Sequence, residues 1–186
     1  MTTRLTPVEK PRGIAMKLAY WMSRRSLGKV MTPLKVFYAR APYLARLAYS
    51  MTNAVEKKVG LDPELRLLVQ AQASAHNGCG FCLDMKSALA LQHGLGLEKF
   101  QELAGYRESP LFSDRERAAL DYAGEVNRSR RVSDETFERL RKHFSEEEIV
   151  EITFVNAVEN YYNLTAIPLG IESDGLCALA QERASA

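Results

Sequence analysis

A chain of 186 residues, 46% apolar and 26% charged, is long enough to close one core of its own and too evenly mixed for a collagen-like or low-complexity protein. Three cysteines allow one disulfide with a thiol left over, which excludes a secreted disulfide scaffold and points to a reducing compartment. The net charge of +2 hides a split: residues 1–50 carry ten Lys or Arg against the single Glu9, so this stretch holds +9 and the remainder −7.

The basic stretch comes first along the chain. Residues 1–42 read as a basic helical arm ahead of a helical domain at 43–186, in one domain overall. Tyr20, Trp21, Phe37 and Tyr38 read as exposed rings among its cations. Rings interleaved with cations suit phosphate or membrane surfaces, but a charge block alone is weak ground for a ligand. Packing on the acidic body or on a neighbouring subunit is the simpler expectation, so no nucleic acid is expected as a partner. No apolar run approaches the roughly 20 residues of a bilayer span, and no signal-peptide core is evident. A cytoplasmic protein without a membrane span is the expectation.

Helices follow in order. From Tyr43 to Val59, Leu44, Leu47, Ala48, Met51, Ala54 and Val55 form a helical stripe that stops at Gly60. Asp62-Pro63-Glu64 restarts a helix, with Asp as N-cap and Pro at the first position, and this one runs to Asn77-Gly78. The next helix leaves Cys79 and ends before Gly94. Further helices are predicted at 97–104, 113–127, 133–143 and 145–162, the last three opened by Ser-Asp, Ser-Asp and Ser-Glu. No segment alternates with period two, so the fold class is all-α. A weak internal echo supports a helical bundle with a duplicated unit: at one offset Asp62 falls on Ser145, Asn77 on Asn160 and Cys79 on Tyr162.

The chemistry concentrates at Asn77-Gly78-Cys79-Gly80-Phe81-Cys82-Leu83-Asp84-Met85-Lys86. Two cysteines three apart at a helix start lie one turn apart on one face, where a disulfide closes without unwinding the chain. Unpaired first-turn amides and the positive end of the helix favour the thiolate. A redox-active dithiol is the leading reading, and it calls for no cofactor. A zinc site built on His76, Cys79 and Cys82, completed by His93, Cys177 or Glu159, is the rival from another class, although only one ligand pair is visible. His143 has no constellation around it. Glu64 reads as a first-turn carboxylate supporting its helix. Cys177 reads as a small apolar position in a short terminal helix.

The run Pro63 to Gly94, with Arg66, Ser74, Asn77-Gly78-Cys79, Phe81-Cys82 and Asp84 at their spacings, resembles the alkylhydroperoxidase D-like branch of the carboxymuconolactone decarboxylase family. Pro33-Leu34-Lys35-Val36, Tyr38-Ala39-Arg40, the stretch from Ser109 to Ala118, Glu159-Asn160-Tyr161-Tyr162-Asn163 and Pro168-Leu169-Gly170-Ile171 extend the likeness over most of residues 30–175. The resemblance implies an all-helical homo-oligomer, a trimer or hexamer, that reduces hydroperoxides and is recharged by a dithiol reductant. It implies that Cys82 attacks the peroxide and Cys79 resolves the sulfenic acid as a disulfide.

The chain departs from that branch at two places. Lys86 stands where a histidine follows the second cysteine by four residues, and Leu67 stands where a glutamate precedes the first cysteine by twelve. Lys86, at i+4 from Cys82, is within helical reach of the sulfur and can favour its thiolate by charge. An unperturbed lysine titrates near ~10.4, so it is a poor shuttle at neutral pH, and the activity expected is a weak peroxidase or disulfide exchange. A catalytically silent helical oligomer or binding protein is the alternative. Asp84 could pair with Lys86 or merely support its helix, and His76, three residues before Cys79, could reach its sulfur. Glu159, which falls on His76 in the echo, is a candidate base if it faces the dithiol from across a helix pair.

Overall fold

Capping residues set where the helices of this chain begin. The computed structural model describes residues 3–184, and no strand occurs among them. Helix α1 spans Ile14–Leu27, α2 Pro42–Lys57, α3 Pro63–Asn77 and α4 Gly80–Gln92. A short α5 (Glu98–Gln101) leads to α6 (Asp114–Ser129), α7 (Asp134–Arg141), α8 (Glu146–Ala166) and α9 (Leu176–Ala184). Asp62 accepts from the amides of Glu64 and Leu65, as an N-cap should. Ser113 and Ser145 each form a capping box, in which the serine accepts from the third helical amide and that residue's glutamate accepts from the serine amide.

The predicted helix over 97–104 is broken into α5 and a 3-10 turn at Leu103–Gly105. Its buried residues, Phe100, Leu103 and Tyr106, repeat every third position, which suits the tighter turn better than an α-helix. Helix α8 runs four residues past Tyr162, to Ala166.

Helix α3 is buried on every side from Leu65 to Ala71, so it occupies the centre. Leu65 and Val69 pack with Ala119, Ile152 and Val155 of α6 and α8, whereas Leu67, Leu68 and Ala71 pack with Ala90, Phe100 and Leu120. Asp62 and Ser145, paired in the sequence echo, cap α3 and α8. These two helices lie against each other, and Asn77 donates to Asn160 at 2.9 Å.

The arm differs from its expectation. Tyr20 and Tyr38 are buried rather than exposed, Phe37 is half-buried, and only Trp21 stands out at 58% exposure. The reason is local: Met16, Tyr20 and Ser23 are the buried residues of α1, Met16 and Tyr20 pack with Val30, Leu34 and Ala48, and Tyr20 donates to the Val8 carbonyl at 2.7 Å. Several arm cations bind within the chain, Lys29 to Asp174, Lys35 to Glu9 and Arg40 to the carbonyls of Val36 and Thr6.

One carboxylate ties the tail to this body. Asp84 accepts from the Ser173 hydroxyl and from the amides of Asp174, Leu176 and Cys177, which caps α9 from a neighbouring helix. Asp174 in turn accepts from the Thr32 amide and hydroxyl, both at 2.7 Å, so tail and arm are joined beside α4. Hydrogen bonds to a charged group are worth roughly 1.5–3 kcal/mol, so Asp84→Ala should cost about 2 kcal/mol in urea unfolding. It should also speed amide exchange at 174–177, and unchanged exchange there would refute the tether.

Burial works against ionisation of Glu116, but bonds from Lys99 and Ser113 outweigh it and hold the carboxyl below its ordinary value. The Ser145 amide holds Glu148 down in the same way against a smaller burial effect. A carboxyl depressed in the folded chain adds stability above the ordinary glutamate value of about 4.3, and that stability is lost as pH falls through the depressed value. Glu116→Gln with Glu148→Gln should therefore shrink the drop in urea midpoint between about pH 6 and about pH 3. A drop as large as the parent's would assign acid sensitivity to other groups.

Candidate active site

The site begins where α3 stops. Gly78 takes the left-handed conformation at φ 72°, the Cys79 amide donates back to the Ser74 carbonyl, and the chain turns directly into α4. Cys79 becomes the N-cap of α4, its sulfur accepting from the Cys82 amide at 3.3 Å. Cys79 and Cys82 are joined as a disulfide, with Cα atoms 5.3 Å apart, and each residue is 2% exposed. Val36, Phe81, Ala88, Ala166, Ile171 and Leu176 pack around the pair.

A largely apolar cavity of about 490 Å³ adjoins this dithiol, and Cys82 lines it whereas Cys79 does not. Its walls come from α1, α2 and the π-helical turn Leu34–Tyr38 of the arm, together with α4 and α8. The arm therefore forms part of the cavity that Cys82 lines.

The polar groups on the cavity wall are organised by a buried ion pair. Lys86 Nζ lies 2.9 Å from Glu159 Oε2, with side chains 9% and 1% exposed. Glu159 also accepts from Ser74 Oγ at 2.8 Å, Asn163 Nδ2 at 3.0 Å and Gln70 Nε2 at 3.2 Å. Asn77, at the turn before the dithiol, donates to Asn163 at 2.8 Å, so the network runs from that turn to Lys86. Gln70 Oε1 is a buried acceptor on the same wall with no partner among the described residues. Tyr162, also on the wall, donates to the Ala48 carbonyl at 2.9 Å. Burial first, and the Glu159 charge after a smaller opposing bond from Thr52, push its hydroxyl up to about 12, so it stays protonated.

The other candidates fall outside this cluster. Asp84 is committed to capping α9 and has no bond to Lys86. His76 is exposed near the end of α3, whereas both sulfurs belong to buried residues. Among the described residues no group of three or more His, Cys, Asp and Glu is gathered to hold a metal, which removes the support for zinc at His76, Cys79 and Cys82. Glu64 binds Lys99 at 2.6 Å, in keeping with a helix-supporting role. Cys177 is a half-buried free thiol, pushed up by burial and then by the Asp84 charge. Gln70 and Asn163 were not singled out as functional in the sequence. Their signal was only the helical spacing that aligns 70 with 74 and 159 with 163 across facing helices.

Residues 42–125 match the carboxymuconolactone decarboxylase family. The chain is 31% identical over 165 residues to the uncharacterized protein YnjA of Escherichia coli K12, covering 88% of this chain and 90% of that one. A solved Agrobacterium tumefaciens protein of unknown function, described as a candidate antioxidant defence protein AhpD, is similar at 33% identity and a TM-score of 0.69, covering 74% of this chain and 96% of that one. A debrominase, Bmp8, solved with 2,3,4-tribromopyrrole, shares the fold at 19% identity and a TM-score of 0.82, with 98% of each chain covered. The protein belongs to the carboxymuconolactone decarboxylase family, in its alkylhydroperoxidase D-like branch.

Removing one member of a buried ion pair strands the other, at a cost of about 3–5 kcal/mol. Lys86→Met should lose that much in urea unfolding, and adding Glu159→Gln should recover most of it. Equal losses in the single and double variants would mean that the pair does not act as a unit.

Proposed function

We propose that the protein is a thiol-dependent reductant of organic hydroperoxides, cycling between a Cys79–Cys82 dithiol and its disulfide. The observation that carries this reading is the disulfide beside an apolar cavity whose wall holds Cys82, Lys86 and Glu159. The Cys82 thiolate attacks the terminal peroxide oxygen, the O–O bond breaks, and Cys82 becomes a sulfenic acid. The proton given up by the thiol ends on the departing alkoxide, which leaves as an alcohol. Cys79 then attacks the Cys82 sulfur, water departs, and the disulfide forms. An external dithiol returns the two electrons by thiol–disulfide exchange.

Lys86 takes the role of the missing histidine by charge, favouring the thiolate and the developing alkoxide. Glu159, from α8, replaces the glutamate absent at Leu67 and holds the ammonium in its place. Gln70 Oε1 is a free acceptor suited to the hydroperoxide O–H.

A second reading is reductive dehalogenation, favoured by a cavity far larger than a hydroperoxy group needs. There the dithiol would supply two electrons and replace carbon–bromine by carbon–hydrogen, releasing bromide and leaving the disulfide. The relevant support is the bromopyrrole complex of the similar fold.

Reduced protein should consume cumene hydroperoxide, with a Cys79–Cys82 disulfide appearing by alkylation and mass mapping. Cys82→Ser should abolish turnover, and Cys79→Ser should leave a sulfenic acid on Cys82 that dimedone traps. Bromide release from a bromopyrrole without peroxide consumption would transfer the assignment to the second reading. Both cysteines fully alkylated after excess oxidant of either kind would leave the silent oligomer.

A further inference from the structure

Two helices of this chain each present an apolar stripe to solvent. On α1, whose opposite face is buried, Ile14, Leu18 and Trp21 recur at i, i+4 and i+7 and are 86%, 53% and 58% exposed. On α8, Val150, Phe154, Ala157 and Leu164 follow the same 4-3 spacing, with half-buried Tyr161 between the last two. This is the seam along which two helices interlock side chains, and neither stripe is covered within the chain.

Their flanks carry opposite charge. Arg24 and Arg25 close the exposed end of α1, and Glu146 and Glu147 open α8; none of the four has an ion-pair partner among the described residues. Set antiparallel, the helices come into register to within one residue. Arg25 then falls beside Glu146, Trp21 beside Val150, Leu18 beside Phe154, and the large Ile14 beside the small Ala157. Pairing α1 with another α1 would instead bring Arg24, Arg25 and Lys17 into a face that has no acidic residue on the helix to answer them.

We infer that α1 of one copy docks antiparallel on α8 of a second copy, through these stripes and an Arg24/Arg25 to Glu146/Glu147 charge contact. The contact joins unlike surfaces, so repetition closes a ring or a reciprocal pair. It also bears on the cavity, because Met22, beside Trp21 on α1, lines its wall. Docking therefore braces the arm where it encloses the site, whatever reaction that site performs.

The test is the mass of the full-length chain by light scattering at micromolar concentration. The parent should have at least twice the 20.9 kDa chain mass. Arg24→Glu with Arg25→Glu should reduce it towards the single-chain mass, as should Glu146→Arg with Glu147→Arg. Combining all four reversals should restore assembly, which a merely misfolded variant cannot do, and Trp21→Asp should dissociate the assembly with helical circular dichroism unchanged. A monomeric parent would overturn the inference, including one that pellets with anionic phosphatidylserine vesicles and so uses the arm on lipid. An assembly indifferent to both reversals, or not rescued by their combination, would overturn it equally.

Discussion

The ion pair between Lys86 and Glu159 is the constraint around which the site is arranged. Two charges so deeply buried are tolerated only when their remaining polar valences are met, and here Ser74, Gln70 and Asn163 meet those of the carboxylate. Those partners sit on α3 and α8, and the lysine sits on α4. Helix α4 is thereby held in rotation against the other two, which determines the direction in which Cys82, one turn before Lys86, faces. A small change in the angle of α4 would strand a charge as well as turn a sulfur from the cavity.

The surroundings of the dithiol are assembled from both ends of the chain. Asp84, two residues past Cys82, caps α9, and Asp174 in the segment before α9 grips Thr32 of the arm. Tail and arm are thus anchored on the helix that carries Cys82. The arm, a segment whose composition reads as basic and polar, contributes Ala19, Met22, Leu27, Leu34 and Phe37 to the apolar wall of the cavity and keeps its cations off that wall. Low-dielectric surroundings strengthen the attraction between charges on this wall, the Lys86–Glu159 pair among them.

The departures from the peroxidase branch at positions 67 and 86 have a structural counterpart. Leu67 is fully buried in the central core, where a glutamate would have no partner to justify its desolvation. The carboxylate that reaches the lysine comes from α8 instead. The buried charged pair of this wall is thus Lys86 of α4 with Glu159 of α8, and position 67 takes no part in it.

Much of the architecture was legible in the amino-acid order, because caps and periodicity are local. Asp62, Ser113, Ser133 and Ser145 cap the helices expected of them, and Cys79 opens α4 at the dithiol. The pairing of Cys79 with Cys82 was legible for the same reason, since three residues on a helix start bring the two sulfurs together. That Asp84 caps α9 was not legible, because its partners lie about ninety residues away in the tail and no local pattern encodes them. The burial of Tyr20 and Tyr38 was missed for a related reason: which face of a two-sided helix turns inwards depends on what it meets. Glu159 was within reach only through a weak echo. Its contact with Lys86 arises from the crossing of α4 and α8, so residue types and helix limits belong to the sequence, while the cavity and its ion pair exist only once distant helices pack.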